Sequence, residues 1–114
     1  MTEMDIPITD DFYCDFVLSN KVNVDKIKET DTLLAYFHTK PHWETHIVII
    51  PKEHIVTLSD VTDMNLIAEI FEMAKDIIRN MGLDKTNFRI ITNGGSFQDS
   101  KHLHFHLVSG EEIV

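Results

Sequence analysis

Hydrophobic and polar positions divide this chain into several short runs, one long helical stripe and a final alternating run. The first run, Phe12-Tyr13-Cys14-Asp15-Phe16-Val17-Leu18, mixes aromatic and β-branched residues and is broken by Ser19-Asn20-Lys21, which predicts a first element that is a strand or a short helix. Residues 1–11 ahead of it are polar and acidic and read as a loosely held arm, leaving 12–114 as a single domain. Lys26-Ile27-Lys28-Glu29-Thr30 and Leu33-Leu34-Ala35-Tyr36-Phe37 read as strands joined by a turn at Thr30-Asp31-Thr32. His46-Ile47-Val48-Ile49-Ile50 reads as a third strand, stopped by Pro51, so the three suggest an antiparallel meander. Between the second and third, Lys40-Pro41-His42-Trp43-Glu44 reads as a loop, because Pro41 has no N–H for a ladder.

From Thr62 to Met81 the apolar residues Leu66, Ile67, Ile70, Phe71, Met73, Ala74, Ile77, Ile78 and Met81 recur at helical spacing. Thr62 or Asp60 is placed to cap the start and Gly82 to end it. The stripe is wider than one packing face needs: Leu66, Ile70, Met73 and Ile77 cover a sheet, while Ile67, Phe71 and Ile78 are left over and hint at a second buried face in a dimer. Two further strands are predicted at Asn87–Thr92 and His102–Val108, separated by the polar, glycine-bearing loop Asn93–Lys101.

Composition narrows the class. With 114 residues, 43% hydrophobic and 25% charged, the chain is long enough for one globular core and ordinary enough to argue against disorder or a fibrous repeat. No apolar run reaches the ~20 residues of a membrane helix, and the acidic start is unlike an export signal, so a cytoplasmic protein is expected. The single cysteine, Cys14, has no partner for an internal disulfide or a Cys-x-x-Cys site. A formal charge of −9 without a basic patch disfavours polymeric nucleic acid and anionic membranes as partners. A small phosphorylated ligand is compatible with it, since backbone N–H groups and imidazoles bind phosphate inside an acidic protein.

Seven residues are histidine, and His102, His104 and His106 alternate within one predicted strand. Alternation sends Leu103, Phe105 and Leu107 beneath the helix and all three imidazoles to the other face, which makes that face a site rather than a core. For His42 and His54 the plainer reading, a surface or packed histidine, is preferred. Residues i and i+4 of a strand lie about 13 Å apart, so the three cannot share one metal ion. A zinc site of His46, His102 and His104 stays open, although no carboxylate stands beside it and the loop before it suits phosphate better. The other chemistry is direct attack. A neutral imidazole whose second nitrogen is fixed by a strand carbonyl can displace a leaving group from phosphorus, giving a phosphoramidate that water then cleaves.

The run His102-Leu103-His104-Phe105-His106-Leu107-Val108 matches in full the pattern His-φ-His-φ-His-φ-φ, with φ hydrophobic, and the chain resembles the histidine-triad (HIT) family, closest to its Hint branch. Phe12-Tyr13-Cys14-Asp15, Leu34-Ala35-Tyr36-Phe37, the segment Thr45–Ile55 and the loop Asn93…Gln98 extend the resemblance over roughly residues 12–108. It implies an α+β fold, an antiparallel sheet of about five strands with one long and one short helix, that dimerises into a continuous sheet. It also implies a nucleotide-binding hydrolase or transferase that releases a nucleoside monophosphate from a phosphoanhydride or phosphoramidate.

By the same resemblance His104 is the nucleophile on the α-phosphorus, while His46, His102 and His106 orient it and bind phosphate. Asn93, Gln98 and Asp99 fall on the phosphate side. Cys14, Val17, Tyr36 and His38 fall at the base and ribose, with core packing an equal explanation for the apolar members. The implied ligand is a purine nucleotide or nucleotide conjugate, with no metal or other cofactor required. Three positions depart from the pattern: His38 stands where a carboxylate or amide usually meets the ribose, Asp99 where a serine stands near the scissile phosphate, and Phe97 where a glycine stands. A nucleotide sensor without turnover and a zinc-dependent protein are the competing readings.

Overall fold

The computed structural model describes Tyr13, residues 17–19 and residues 23–114. Five strands form one antiparallel sheet: β1 (Lys26–Glu29), β2 (Leu33–Phe37), β3 (Trp43–Pro51), β4 (Arg89–Thr92) and β5 (Phe105–Glu112), in the order β1-β2-β3-β5-β4. One long helix, α1 (Asn65–Met81), lies between β3 and β4 in the chain. This is the α+β architecture expected from the sequence. The first apolar run and the arm before it fall almost wholly outside the described residues, so the strand-or-helix alternative there, with Cys14, is left with only Tyr13 and residues 17–19 described.

Strand alternation sorts the sheet into two faces. Ala35, Ile47, Ile49, Phe105 and Leu107 point to one side, where they meet Ile70, Met73, Ala74, Ile77 and Ile78 of α1 in the main core. Ile78, expected to be surplus, is part of that core; Ile67 packs at its edge, and Phe71 keeps 46% of its surface exposed. On the other face Leu34, Tyr36, Val48 and Ile50 pack with Tyr13 and Val17 in a second apolar cluster. The imidazole face is therefore part site and part core.

Element ends differ from the sequence expectation for identifiable reasons. The helix starts at Asn65 rather than Thr62, because Asp60 is used elsewhere: its carboxylate accepts from Thr57 N–H in a capping box on the 3₁₀ turn Leu58–Asp60. Asp63 instead accepts from Asn65 N–H at 3.0 Å at the helix start. Gly82 ends the helix as expected, in the left-handed region at φ 71° with its N–H returned to the last turn. β3 begins at Trp43, so Trp43 and Glu44 are strand and not loop, and β4 begins at Arg89 rather than Asn87.

The last strand is displaced by three residues, from the expected start at His102 to Phe105. Residues 102–104 send their hydrogen bonds away from the ladder: Leu103 N–H goes to Ile55 C=O at 2.6 Å, and His104 C=O accepts from Thr92 Oγ at 2.9 Å. At its far end β5 continues to Glu112 because β3 supplies pairing partners out to Trp43. No helix among the described residues is long and apolar enough to cross a membrane.

Candidate active site

The alternation that defines the site survives the shift in strand boundary. His102, His104 and His106 lie on the face opposite Leu103, Phe105 and Leu107, and the latter three are buried in the helix-side core. The three imidazoles are nevertheless not equivalent.

His102 is 0% exposed, and its Nε2–H donates to Pro51 C=O at 2.7 Å. It ties the approach to β5 onto the end of β3. The backbone carbonyl of His102, in turn, accepts from His104 Nδ1 at 2.7 Å. A carbonyl can only accept, so His104 carries its proton on Nδ1 and its lone pair on Nε2. That is the tautomer a nucleophile needs; the carbonyl that fixes it, expected from a strand, belongs instead to His102 in the segment leading into β5. Tyr13 packs against His104 with ring centroids 4.9 Å apart, and His106 meets it edge-on at the same separation.

His46 enters from β3 and belongs to a chain of fixed donors. His42 N–H donates to His46 Nδ1 at 2.9 Å, which puts the His46 proton on Nε2. His46 Nε2 then donates to His106 Nδ1 at 2.9 Å, leaving His106 with its proton on Nε2. His38, just after β2, stacks on His46 at 4.3 Å, and its Nδ1 accepts from Lys40 N–H at 2.9 Å. Two backbone N–H groups thereby set the tautomers of three rings, each with an N–H on its Nε2.

Burial governs the charge of this cluster. It pulls the imidazoles of His38 and His106 down from 6.5 to about 3 and that of His46 to about 4, with the neighbouring histidines adding in the same direction. All three are neutral at pH 7.

By distance alone His38, His46 and His106 would accept a metal ion, since one nitrogen from each lies within 4.8 Å of the others. The fixed tautomers oppose this. A metal needs a ring lone pair, and the Nδ1 lone pairs of His38 and His46 are taken by Lys40 and His42 N–H. Moving either proton to Nδ1 would set N–H against N–H. The set expected for zinc from sequence, His46, His102 and His104, is also not a convergent one: His102 points its Nε2–H at Pro51 and His104 its Nδ1–H at the chain. An N–H-rich cluster of neutral rings suits an anion.

The family model described as HIT domain matches residues 19–113 of this chain. The chain belongs to the HIT domain family. Among curated relatives it is 32% identical over 111 residues to the adenosine 5'-monophosphoramidase HNT1 of Saccharomyces cerevisiae, covering 94% of this chain and 68% of the yeast protein. Among solved structures it is similar to a histidine triad protein of Clostridium difficile, with 31% identity, a TM-score of 0.81 and coverage of 100% and 97% of the two chains. A HIT family hydrolase of Legionella pneumophila gives the same TM-score at 30% identity, covering 91% of this chain and 96% of the other.

The remaining expected residues of this HIT domain are spread around the triad. Tyr36 is 1% exposed and Val17 is buried, both in the second apolar cluster, which is the packing role also open to them from sequence. Burial pushes the Tyr36 hydroxyl well above the usual tyrosine range. Gln98 is buried, and its Nε2 donates to Val56 C=O at 2.6 Å, anchoring the loop before the triad. Lys101 Nζ laces the same loop to Gln98 C=O at 3.3 Å. Asn93 is half-buried at the end of β4, and Asp99 is exposed. Cys14 lies outside the described residues. What sequence reading missed is the backbone of Lys40 and His42: main-chain donors leave no mark in residue identity beyond the turn-forming Pro41 between them.

Proposed function

We propose that this protein is a nucleotide hydrolase or transferase that releases a nucleoside monophosphate from a phosphoramidate or phosphoanhydride through a covalent intermediate on His104. The observation that carries the reading is the 2.7 Å contact of His104 Nδ1 with the His102 carbonyl, which fixes the lone pair on Nε2. In the first step Nε2 forms a bond to phosphorus, and the bond from phosphorus to the leaving nitrogen or oxygen breaks. The electron pair goes with the leaving group, which takes a proton from solvent. The ring gains positive charge as the bond forms, and the His102 carbonyl stabilises it through Nδ1–H. Water then displaces His104 from phosphorus and restores the neutral imidazole.

His106 offers its Nε2–H to the non-bridging oxygens while its Nδ1 is held by the His46 N–H behind it, and these neutral rings avoid the repulsion that clustered imidazolium ions would suffer. Asn93 is expected to add a donor, and Gln98 acts by holding its loop through Val56 C=O. His38 and Asp99 tune the ligand, a purine nucleotide or conjugate, and no metal is needed in the chemical step. The yeast relative's activity, that of an adenosine 5'-monophosphoramidase, supports this class. The protein works as a cytoplasmic homodimer.

The test is a single-turnover reaction with adenosine phosphoramidate, quenched without acid and read by intact mass. Wild type is expected to carry an adduct of adenylate mass that His104→Ala lacks. Binding with neither adduct nor turnover would replace the enzyme by a nucleotide sensor.

A further inference from the structure

The pairing of β4 with β5 runs from Arg89 opposite Val108 to Thr92 opposite Phe105 and ends there. His104 is the next residue of the chain beyond that last pair, so the nucleophile sits where β5 leaves the ladder. Its carbonyl is held by a side chain: Thr92 Oγ donates to His104 C=O at 2.9 Å. Threonine is stiff at χ1, which keeps such a hydroxyl in place.

His104 thereby lies between two pinned peptide units. The His102 carbonyl shares a rigid plane with Leu103 N–H, which donates to Ile55 C=O at 2.6 Å. Ile55 therefore aims the carbonyl that His104 Nδ1 meets at 2.7 Å. The His104 carbonyl shares the next but one plane with Phe105 N–H, and Thr92 holds that plane from β4. A ring that reaches back to the carbonyl two residues before it closes a tight loop of chain, so its geometry depends on the angles of the planes at both ends. Tyr13 and His106 bound the ring at 4.9 Å each but make no claim on its backbone.

We propose that Thr92 is a positioning residue for the nucleophile: its hydroxyl holds the peptide after His104 so that Nδ1–H stays on the His102 carbonyl and Nε2 stays aimed at phosphorus. The inference rests on the hydrolase reading above. Thr92 acts through the backbone of His104 and not on the reacting nitrogen. The bond lies within one chain, so it does not depend on what stands against the outer edge of β4. Thr92→Val removes the hydroxyl with almost no change of shape, leaves the His104 carbonyl without this donor and lets its plane turn toward others. A small misplacement of the attacking nitrogen slows the chemical step, while the groups that bind the ligand keep their places.

The experiment compares wild type, Thr92→Val and Thr92→Ser in two readouts. One is turnover of adenosine phosphoramidate; the other is nitrogen NMR of histidine-labelled protein, which reports the ring nitrogen that carries the His104 proton, the His104 signals being those missing from His104→Ala. Thr92→Val is expected to lower kcat about tenfold with KM within about twofold of wild type, and to shift part of the His104 proton from Nδ1 to Nε2. Thr92→Ser keeps the hydroxyl and is expected to return kcat to within about threefold of wild type, with the proton on Nδ1. Wild-type kcat and tautomer in Thr92→Val would overturn the proposal. An equal loss in Thr92→Ser would overturn it too, since the effect would then belong to packing of the methyl group. A tautomer shift confined to Thr92→Val, in a protein whose wild type turns nothing over, would overturn the hydrolase reading and leave the positioning of His104 standing.

Discussion

Acidification should destabilise this protein through its imidazole cluster before its carboxylates titrate. His38, His46 and His106 are held at about 3, 4 and 3 in the folded state, against 6.5 when unfolded. Because the folded values are depressed, the unfolded chain binds more protons between pH 6.5 and pH 4, so stability falls as pH falls through that window and levels off below the folded values. One imidazole wholly barred from protonation costs about 2 kcal/mol between pH 7 and pH 5, and three together cost several, a large part of the roughly 5–15 kcal/mol a domain possesses. Glu29, whose carboxyl is lowered by Lys52 and Lys26, acts only below its ordinary value of 4.5 and so stays out of this range. The assay is urea denaturation followed by Trp43 fluorescence at half-unit steps from pH 7.5 to 5.0. His38→Asn, which keeps an acceptor for Lys40 N–H, should show about a third less loss. A wild-type stability that is flat from pH 7 to pH 5, or a variant that falls as steeply as wild type, would refute the argument that these rings are folded in neutral form.

His102 should prove a strut: His102→Ala leaves Pro51 C=O without its donor and opens a cavity, costing about 2–4 kcal/mol in urea denaturation, whereas His102→Gln, able to donate again, should recover about half of that. A more severe effect of Gln than of Ala would show that the ring, not the donated N–H, is what the position requires. The exposed Phe71 and Met81 on α1 should be buried by a second copy, so light scattering at micromolar concentration should report about twice the 13.2 kDa chain mass, and a monomer would remove the dimer from the proposal.

Residue identity alone carries the periodicities, and these determined a good deal. The i, i+3, i+4 stripe and Gly82 placed α1 and its end, the β-branched runs placed the sheet, and the spacing of two in His102, His104 and His106 set them opposite Leu103, Phe105 and Leu107. That spacing also carried the resemblance to the histidine-triad family. Side-chain direction is a local property of the backbone, so it can be read without knowing what lies nearby.

Tertiary structure decided what each imidazole does. His102 donates to Pro51, 51 positions away, and His46 to His106, 60 positions away, contacts that no local pattern encodes. It likewise decided where β5 begins and ends, because a strand extends only as far as another supplies partners, here from Ile49 out to Trp43. The charge of the cluster belongs to the same level: a histidine in sequence is a group of pKa near 6.5, and only burial among other rings makes it neutral in acid. Tautomer, protonation and pairing all depend on which groups the fold brings within 3 Å of a ring nitrogen, and that distance is fixed by the whole sheet at once.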